Sequence, residues 1–174
     1  MSLIALTQDL EPFPVDNRGL YHHIMSLIIS QRIRFRVAQA IRRRIYELQA
    51  RGDLVQVMDL TAEQRVKVKL GEDKWQIMTN FHNYWSTTDK SPKESLASVS
   101  GIGPWTVQCA QIMSGDYSCG FITGDLAVRK WLGQALGLKQ AIRPKQIEQL
   151  VQDQGLTTEQ AGLVFSKIWN HTRH

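Results

Sequence analysis

The chain has only two cysteines, Cys109 and Cys119, in 174 residues. That is too few for a disulfide framework, a four-cysteine iron–sulfur cluster or a structural zinc site built from cysteines. Its 12 glycines and 5 prolines are ordinary counts and exclude a collagen-like or linker-like chain. No apolar run approaches the roughly 18–20 residues needed to cross a bilayer, and residues 1–8 lack the basic start of a secretory signal. The expectation is a soluble intracellular protein. Five histidines (His22, His23, His82, His171, His174) fall at no metal-ligand spacing and read as core or surface residues. With 43% hydrophobic residues and five tryptophans, the chain has the means to bury a core and is not disordered.

The net charge of +5 is unevenly placed. Between Gln31 and Arg51 stand seven arginines (Arg32, Arg34, Arg36, Arg42, Arg43, Arg44, Arg51) against one acid, Glu47, so this stretch carries +6 and the other 153 residues −1. Such a block is either a solvated helix face or a polyanion-binding edge.

Apolar residues recur at three- and four-residue spacing, which predicts helices almost throughout; strand-like alternation hardly occurs outside residues 54–58. Helices are expected over residues 21–30, 33–49, 73–87, 92–99, 104–114, 125–136, 144–154 and 158–171, with a short one after Thr61 that stops near Gly71. Thr61 with Gln64, and Ser91-Pro92 with Glu94, supply capping-box spacing and a proline at a first helical position. In the second helix, Ile33, Val37, Ala38, Ile41, Ile45 and Leu48 form an apolar stripe, with Arg32, Arg36 and Arg43 opposite. Trp75, Met78, Phe81, Tyr84 and Trp85 also have helical spacing, which suits a core more than a base-stacking platform. About eight to ten short helices in one domain follow.

Two segments stand out chemically. Gly101-Ile102-Gly103-Pro104-Trp105 interrupts one helix and restarts another at once, a turn expected to be too tight for side chains at its glycines. It is either a helix–turn–helix corner or a phosphate cradle of backbone N–H groups at a helix start. About twenty residues on, Thr123-Gly124-Asp125 puts a carboxylate at a helix start, where it is either an N-cap or a reactive group.

Together these segments resemble the helix-hairpin-helix GPD superfamily of DNA glycosylases, and within it the 3-methyladenine DNA glycosylase II type. The resemblance runs from about Tyr21 to Lys130. It rests on Ser26-Leu27-Ile28-Ile29-Ser30-Gln31-Arg32-Ile33, similar to the family's I-x-x-Q-Q-I-S stretch, on the hairpin from Val99 to Thr106, and on Thr123-Gly124-Asp125-Leu126-Ala127-Val128-Arg129-Lys130, similar to the segment around the family's aspartate.

The resemblance implies an all-α, two-lobed bundle with a cleft between lobes, one lobe over about 22–115 and the other over about 1–21 plus 116–174. It implies a monofunctional glycosylase that flips alkylated purines (3-methyladenine, 7-methylguanine) out of double-stranded DNA and hydrolyses the N-glycosidic bond. The chain would act as a monomer, in the compartment holding the genome. Asp125 would be the catalytic carboxylate, and Trp105 and Cys109 would line the base pocket. Gly101, Ile102 and Gly103 would hold a phosphate, Gln31 and Arg32 would form the wedge that replaces the flipped base, and Arg34, Arg129 and Lys130 would contact DNA. Arg129 could equally pair with Asp125, and Cys109, taken by itself, reads more readily as a small buried apolar side chain.

Trp105 stands where bifunctional members carry a Schiff-base lysine, so no lyase activity is expected. No catalytic metal or organic cofactor is implied, only a monovalent cation (Na+ or K+) at the hairpin carbonyls. Departures from the pattern are Ser100 for the usual proline, Arg32 and Arg34 in the wedge stretch, and a C-terminus in which Trp169 is the one comparable aromatic. They leave open a glycosylase for uracil, mismatched thymine or an oxidised purine, or a non-catalytic DNA-binding module.

Overall fold

The computed structural model describes residues 2–87, 96 and 98–173. Among the described residues there are nine α-helices, one 3-10 turn and no strand. The helices are α1 (Leu3–Thr7), α2 (Leu20–Ser30), α3 (Phe35–Ala50), α4 (Ala62–Val68), α5 (Glu72–Thr87), α6 (Pro104–Met113), α7 (Leu126–Ala135), α8 (Pro144–Asp153) and α9 (Thr158–His171). The helix expected over residues 92–99 falls largely outside the described residues. Residues 54–58 form no strand: Leu54 is buried, and Val57–Asp59 close a single 3-10 turn held by a Gln56–Asp59 capping box. Helix α1, which Ser2 caps through its hydroxyl, is not among the expected helices.

Local chemistry explains most boundaries. Thr61 and Thr157 cap α4 and α9 through their hydroxyls, with Gln64 and Gln160 reaching back to complete each box. Pro144 opens α8 at a position where no N–H is needed. Helix α4 stops before the expected glycine, because Lys69 itself adopts the left-handed conformation (φ 63).

The chain divides into two compact units, Met1–Leu20 with Gln108–His174, and Tyr21–Val107; the division falls within α6. In the Tyr21–Val107 unit, α2 buries Ile24, Leu27 and Ile28, α3 buries Ala38, Ile41, Ile45 and Leu48, and α5 buries Met78 and Phe81. Val37 departs from the expected stripe and is 49% exposed, standing at the edge of the face that Ala38, Ile41, Ile45 and Leu48 bury. Tyr21 lies stacked on Phe81 (centroids 5.4 Å apart), and its hydroxyl meets His82 Nδ1 at 2.7 Å.

In the other unit, α9 is the central element and packs on α1 and α7. It buries Phe165, Ile168 and Trp169, large side chains worth about 1.5–3 kcal/mol each when removed from water. The N-terminal segment is tied to it: Phe13 N–H donates to Ser166 Oγ (2.9 Å) and Lys167 Nζ to the Thr7 carbonyl (3.1 Å).

Candidate active site

Asp125 occupies the N-cap of α7 in extended backbone conformation (φ −75, ψ 115). Its Oδ1 accepts from the N–H groups of Ala127 (2.9 Å) and Val128 (3.0 Å). The capping reading of the sequence is thus realised, and is worth about 1 kcal/mol to the helix. Yet the residue is only 8% exposed. A cap needs no burial, since exposed serines and threonines do the same work; a carboxylate inside the protein costs free energy unless its charge is used.

Arg129, one turn on, is half-buried. Its Nε donates to the Ile142 carbonyl (2.8 Å), and its own carbonyl accepts from Ile142 N–H (3.2 Å). Arg129 thus holds Ile142 against α7, and Gly133 permits the close approach of the neighbouring residues: a Cβ there would lie 2.4 Å from the Gln140 carbonyl oxygen. Lys130 and Leu126 are exposed on the same helix.

In the Tyr21–Val107 unit the two hairpin glycines differ. Gly101 has φ 88, and a Cβ would lie 2.5–2.9 Å from the side chain of Ile77 on α5, so both backbone and packing require glycine. Gly103 has no positive φ, and a Cβ would meet nothing within 4 Å. The expectation that the turn is too tight for a side chain at either glycine therefore holds only for Gly101. Gly103 is exposed, and its N–H meets no acceptor among the described residues. Ile102 between them is buried and anchors the turn.

The hairpin carbonyls of Val99, Gly101 and Gly103 accept from Ile102 N–H (2.9 Å), Gln31 Nε2 (2.9 Å) and Thr106 N–H (3.0 Å). Carbonyl oxygens with a second lone pair are the donor set that the cation implied by resemblance would take.

Between α2 and α3, the two residues expected to form a wedge separate. Gln31 donates its side-chain amide to the Gly101 carbonyl and to Thr106 Oγ1 (3.1 Å), which ties the turn to the hairpin. Arg32 is exposed at the tip and is one of two described non-glycine residues with positive φ (56). Lys74 Nζ donates to the carbonyls of Ile28 (3.0 Å) and Gln31 (2.5 Å). Burial, with the Arg32 charge second, lowers its pKa below the ordinary lysine value. Sequence reasoning missed Lys74, because a lysine in the first turn of a helix has no pattern that reveals a partner some forty residues earlier.

Trp105 is half-buried on α6. Cys109, four residues on, is 0% exposed and belongs to the core, in keeping with its reading as a small buried apolar residue. Burial and then the Asp125 carboxylate push its thiol well above the ordinary value, against the pull of Arg173. Arg173 lies over the Trp169 ring (3.7 Å) and near that of Phe13 (5.1 Å).

The arginine block divides as well. Arg42 is structural: its Nη1 donates to Ser30 Oγ (2.7 Å) and to the Ser26 carbonyl (3.3 Å). Arg43 pairs with Glu47 (3.6 Å) and Arg51 with Asp53 (3.4 Å). Arg32, Arg34 and Arg36 stand exposed at the start of α3.

No family model matches the chain, and no curated protein matches it in sequence. Solved structures share its fold, among them two glycosylases. The 3-methyladenine DNA glycosylase of Schizosaccharomyces pombe, in complex with abasic DNA, matches over 99% of this chain and 90% of its own at 15% identity and a TM-score of 0.73. The DNA-3-methyladenine glycosidase of Bacillus halodurans matches over 98% of this chain and 83% of its own at 16% identity and a TM-score of 0.68. The chain thus has the all-helical fold of 3-methyladenine DNA glycosylases from end to end.

Proposed function

We propose that the chain is a monofunctional DNA glycosylase that hydrolyses the N-glycosidic bond of alkylated purines in double-stranded DNA. The observation that carries this is Asp125, a carboxylate 8% exposed at a helix N-terminus, in a chain whose fold matches 3-methyladenine DNA glycosylases over nearly its full length.

The chemistry follows from the substrate. An N3- or N7-alkylated purine is already cationic, so when the bond to C1′ breaks, the electron pair leaves with the base and no general acid is needed. Positive charge then develops at the sugar. A carboxylate held away from bulk water stabilises that charge by several kcal/mol. Water adds its oxygen to C1′ and gives up a proton, for which Asp125 is the acceptor. Trp105, an indole in the position implied for the base pocket, suits an electron-poor cationic purine through its π face. With no lysine at that position, no Schiff base forms and the DNA strand stays intact.

DNA contact is assigned to three groups. The exposed Gly103 N–H, at the start of α6, suits a phosphate oxygen. Arg34 and Lys130, both exposed, supply backbone charge. Arg32 at the turn tip is the wedge, offsetting unstacking that costs a few kcal/mol.

The test is incubation with duplexes carrying methylated, deaminated or oxidised bases, with and without alkali. Release of methylated purines, with strand breaks only after alkali, is the expected result. Breaks without alkali would overturn the monofunctional assignment, release of uracil or oxidised purine alone would move the substrate class, and no release from any lesion would leave only a DNA-binding module.

A further inference from the structure

We propose that Lys74 and Gln31 are positioning residues that lock the Arg32 turn to the Gly101–Gly103 hairpin, so that strand wedging and phosphate binding act at one fixed spacing. This rests on the assignment of Arg32 and the hairpin to DNA binding made above.

The turn is held from both sides. Lys74 Nζ, from α5, donates to the carbonyls of Ile28 and Gln31. The Gln31 amide in turn donates to the Gly101 carbonyl and to Thr106 Oγ1. Hydrogen bonds therefore run without a gap from α5 through the turn to the hairpin, joining residues 31, 74 and 101. Helix α5 also backs the hairpin directly, since Ile77 fills the space a Gly101 side chain would need.

Arg32 sits between these anchors. Its left-handed backbone (φ 56) costs about 1–2 kcal/mol in an L-residue, and such a conformation persists where surroundings over-determine it. Lys74 is a costly anchor, half-buried and near a second cation, Arg32. A helix end can be closed by water or a glycine at no such cost. A lysine here does what those cannot: it fixes the carbonyl of the residue immediately before the wedge.

A purely structural lysine and a positioning lysine predict different outcomes. The reporter is 2-aminopurine fluorescence beside a tetrahydrofuran abasic site in a duplex, which rises when neighbouring bases unstack and needs no catalysis. Wild type should bind and unstack it. Lys74→Met should bind the same duplex within about twofold but unstack it about tenfold or more slowly, because misplacing a positioned group by about 1 Å has effects of that order or larger. Lys74→Arg, which keeps the donors, should restore most of the rate.

Gln31→Leu cuts only the link to the hairpin and should show the same split; it decides the matter alone if Lys74→Met does not fold. Unstacking at the wild-type rate in both variants, or parallel declines in binding, unstacking and melting temperature, would overturn the proposal, as would a wild type that never unstacks the reporter. A wild type that unstacks it but releases no base from any lesion would remove the glycosylase assignment and leave the positioning role standing.

Discussion

The Asp125 turn and the Gln31–Arg32 turn each set a charged side chain at a helix end, and they hold it by opposite means. Asp125 is fixed by its own helix, through the N–H groups two and three residues on. The Arg32 turn is fixed from a distance, by a lysine on α5 and by a hairpin seventy residues away. The difference suits the chemistry assigned to each. A carboxylate that stabilises a transition state must be pre-aligned to within a fraction of an ångström, and local hydrogen bonds are the stiffest way to do that. A wedge must instead keep its distance from the phosphate grip, which only a long-range tie can set.

The largest expected effect separates the two regions by chemistry. Asp125→Asn keeps an oxygen for the cap, since asparagine caps about as well as aspartate. It should fold normally and bind abasic duplex, yet lose base release by about a hundredfold or more in single-turnover assays. Unchanged release would reduce Asp125 to a cap. Arg32→Ala should show the complementary pattern, slowing release from well-paired lesions far more than from lesions in single strands; equal effects on both would make Arg32 general charge.

Within the hairpin, Gly101→Ala adds a left-handed alanine and a clash with Ile77, and should lower stability by about 2–3 kcal/mol in urea unfolding. Gly103→Ala meets open space; it should melt like wild type within about 0.5 kcal/mol and show its cost only in weaker duplex binding. A smaller contrast lies in the arginine block. Arg42→Ala, removing bonds to α2, should cost about 1–3 kcal/mol of stability and leave the salt dependence of DNA binding unchanged. Arg34→Ala and Arg36→Ala should leave stability alone and lower the salt slope by roughly one for each phosphate that is no longer neutralised.

What can be foreseen from sequence follows the same division. The Asp125 cap, the Thr61 and Thr157 capping boxes and the buried stripe of α3 involve residues within a turn or two, and their spacing reveals them. So does the hairpin as a turn, though not which glycine packing requires: that depends on Ile77, far away in the chain. A glutamine beside an arginine in a turn looks solvent-facing, and the true acceptor of Gln31, the Gly101 carbonyl, is invisible to any local pattern. Val37 departs from expectation for a related reason: how wide a face of a helix is buried is decided by its neighbours rather than by its own period.

The smallest test concerns the interior beside Asp125. Cys109 is fully buried, and burial together with the Asp125 charge holds its thiol protonated well past its ordinary range, with Arg173 opposing. In the unfolded chain the same thiol ionises near its ordinary value of about 8.5. Above that pH the folded state therefore holds more protons than the unfolded one, so stability is full below about 8.5 and falls as pH rises toward the higher folded value. Across that rise the wild type therefore loses stability through this one thiol. Urea unfolding of wild type and Cys109→Ala at about pH 7.5 and 9.5 isolates this loss: the alanine variant should lose less across the interval, whatever its own stability. Tyr21, also raised by burial, acts only above about pH 10 and does not enter this interval. Equal slopes in the two proteins would mean that the thiol ionises in place, and that the surroundings of Asp125 are wetter than a carboxylate acting on a sugar cation requires.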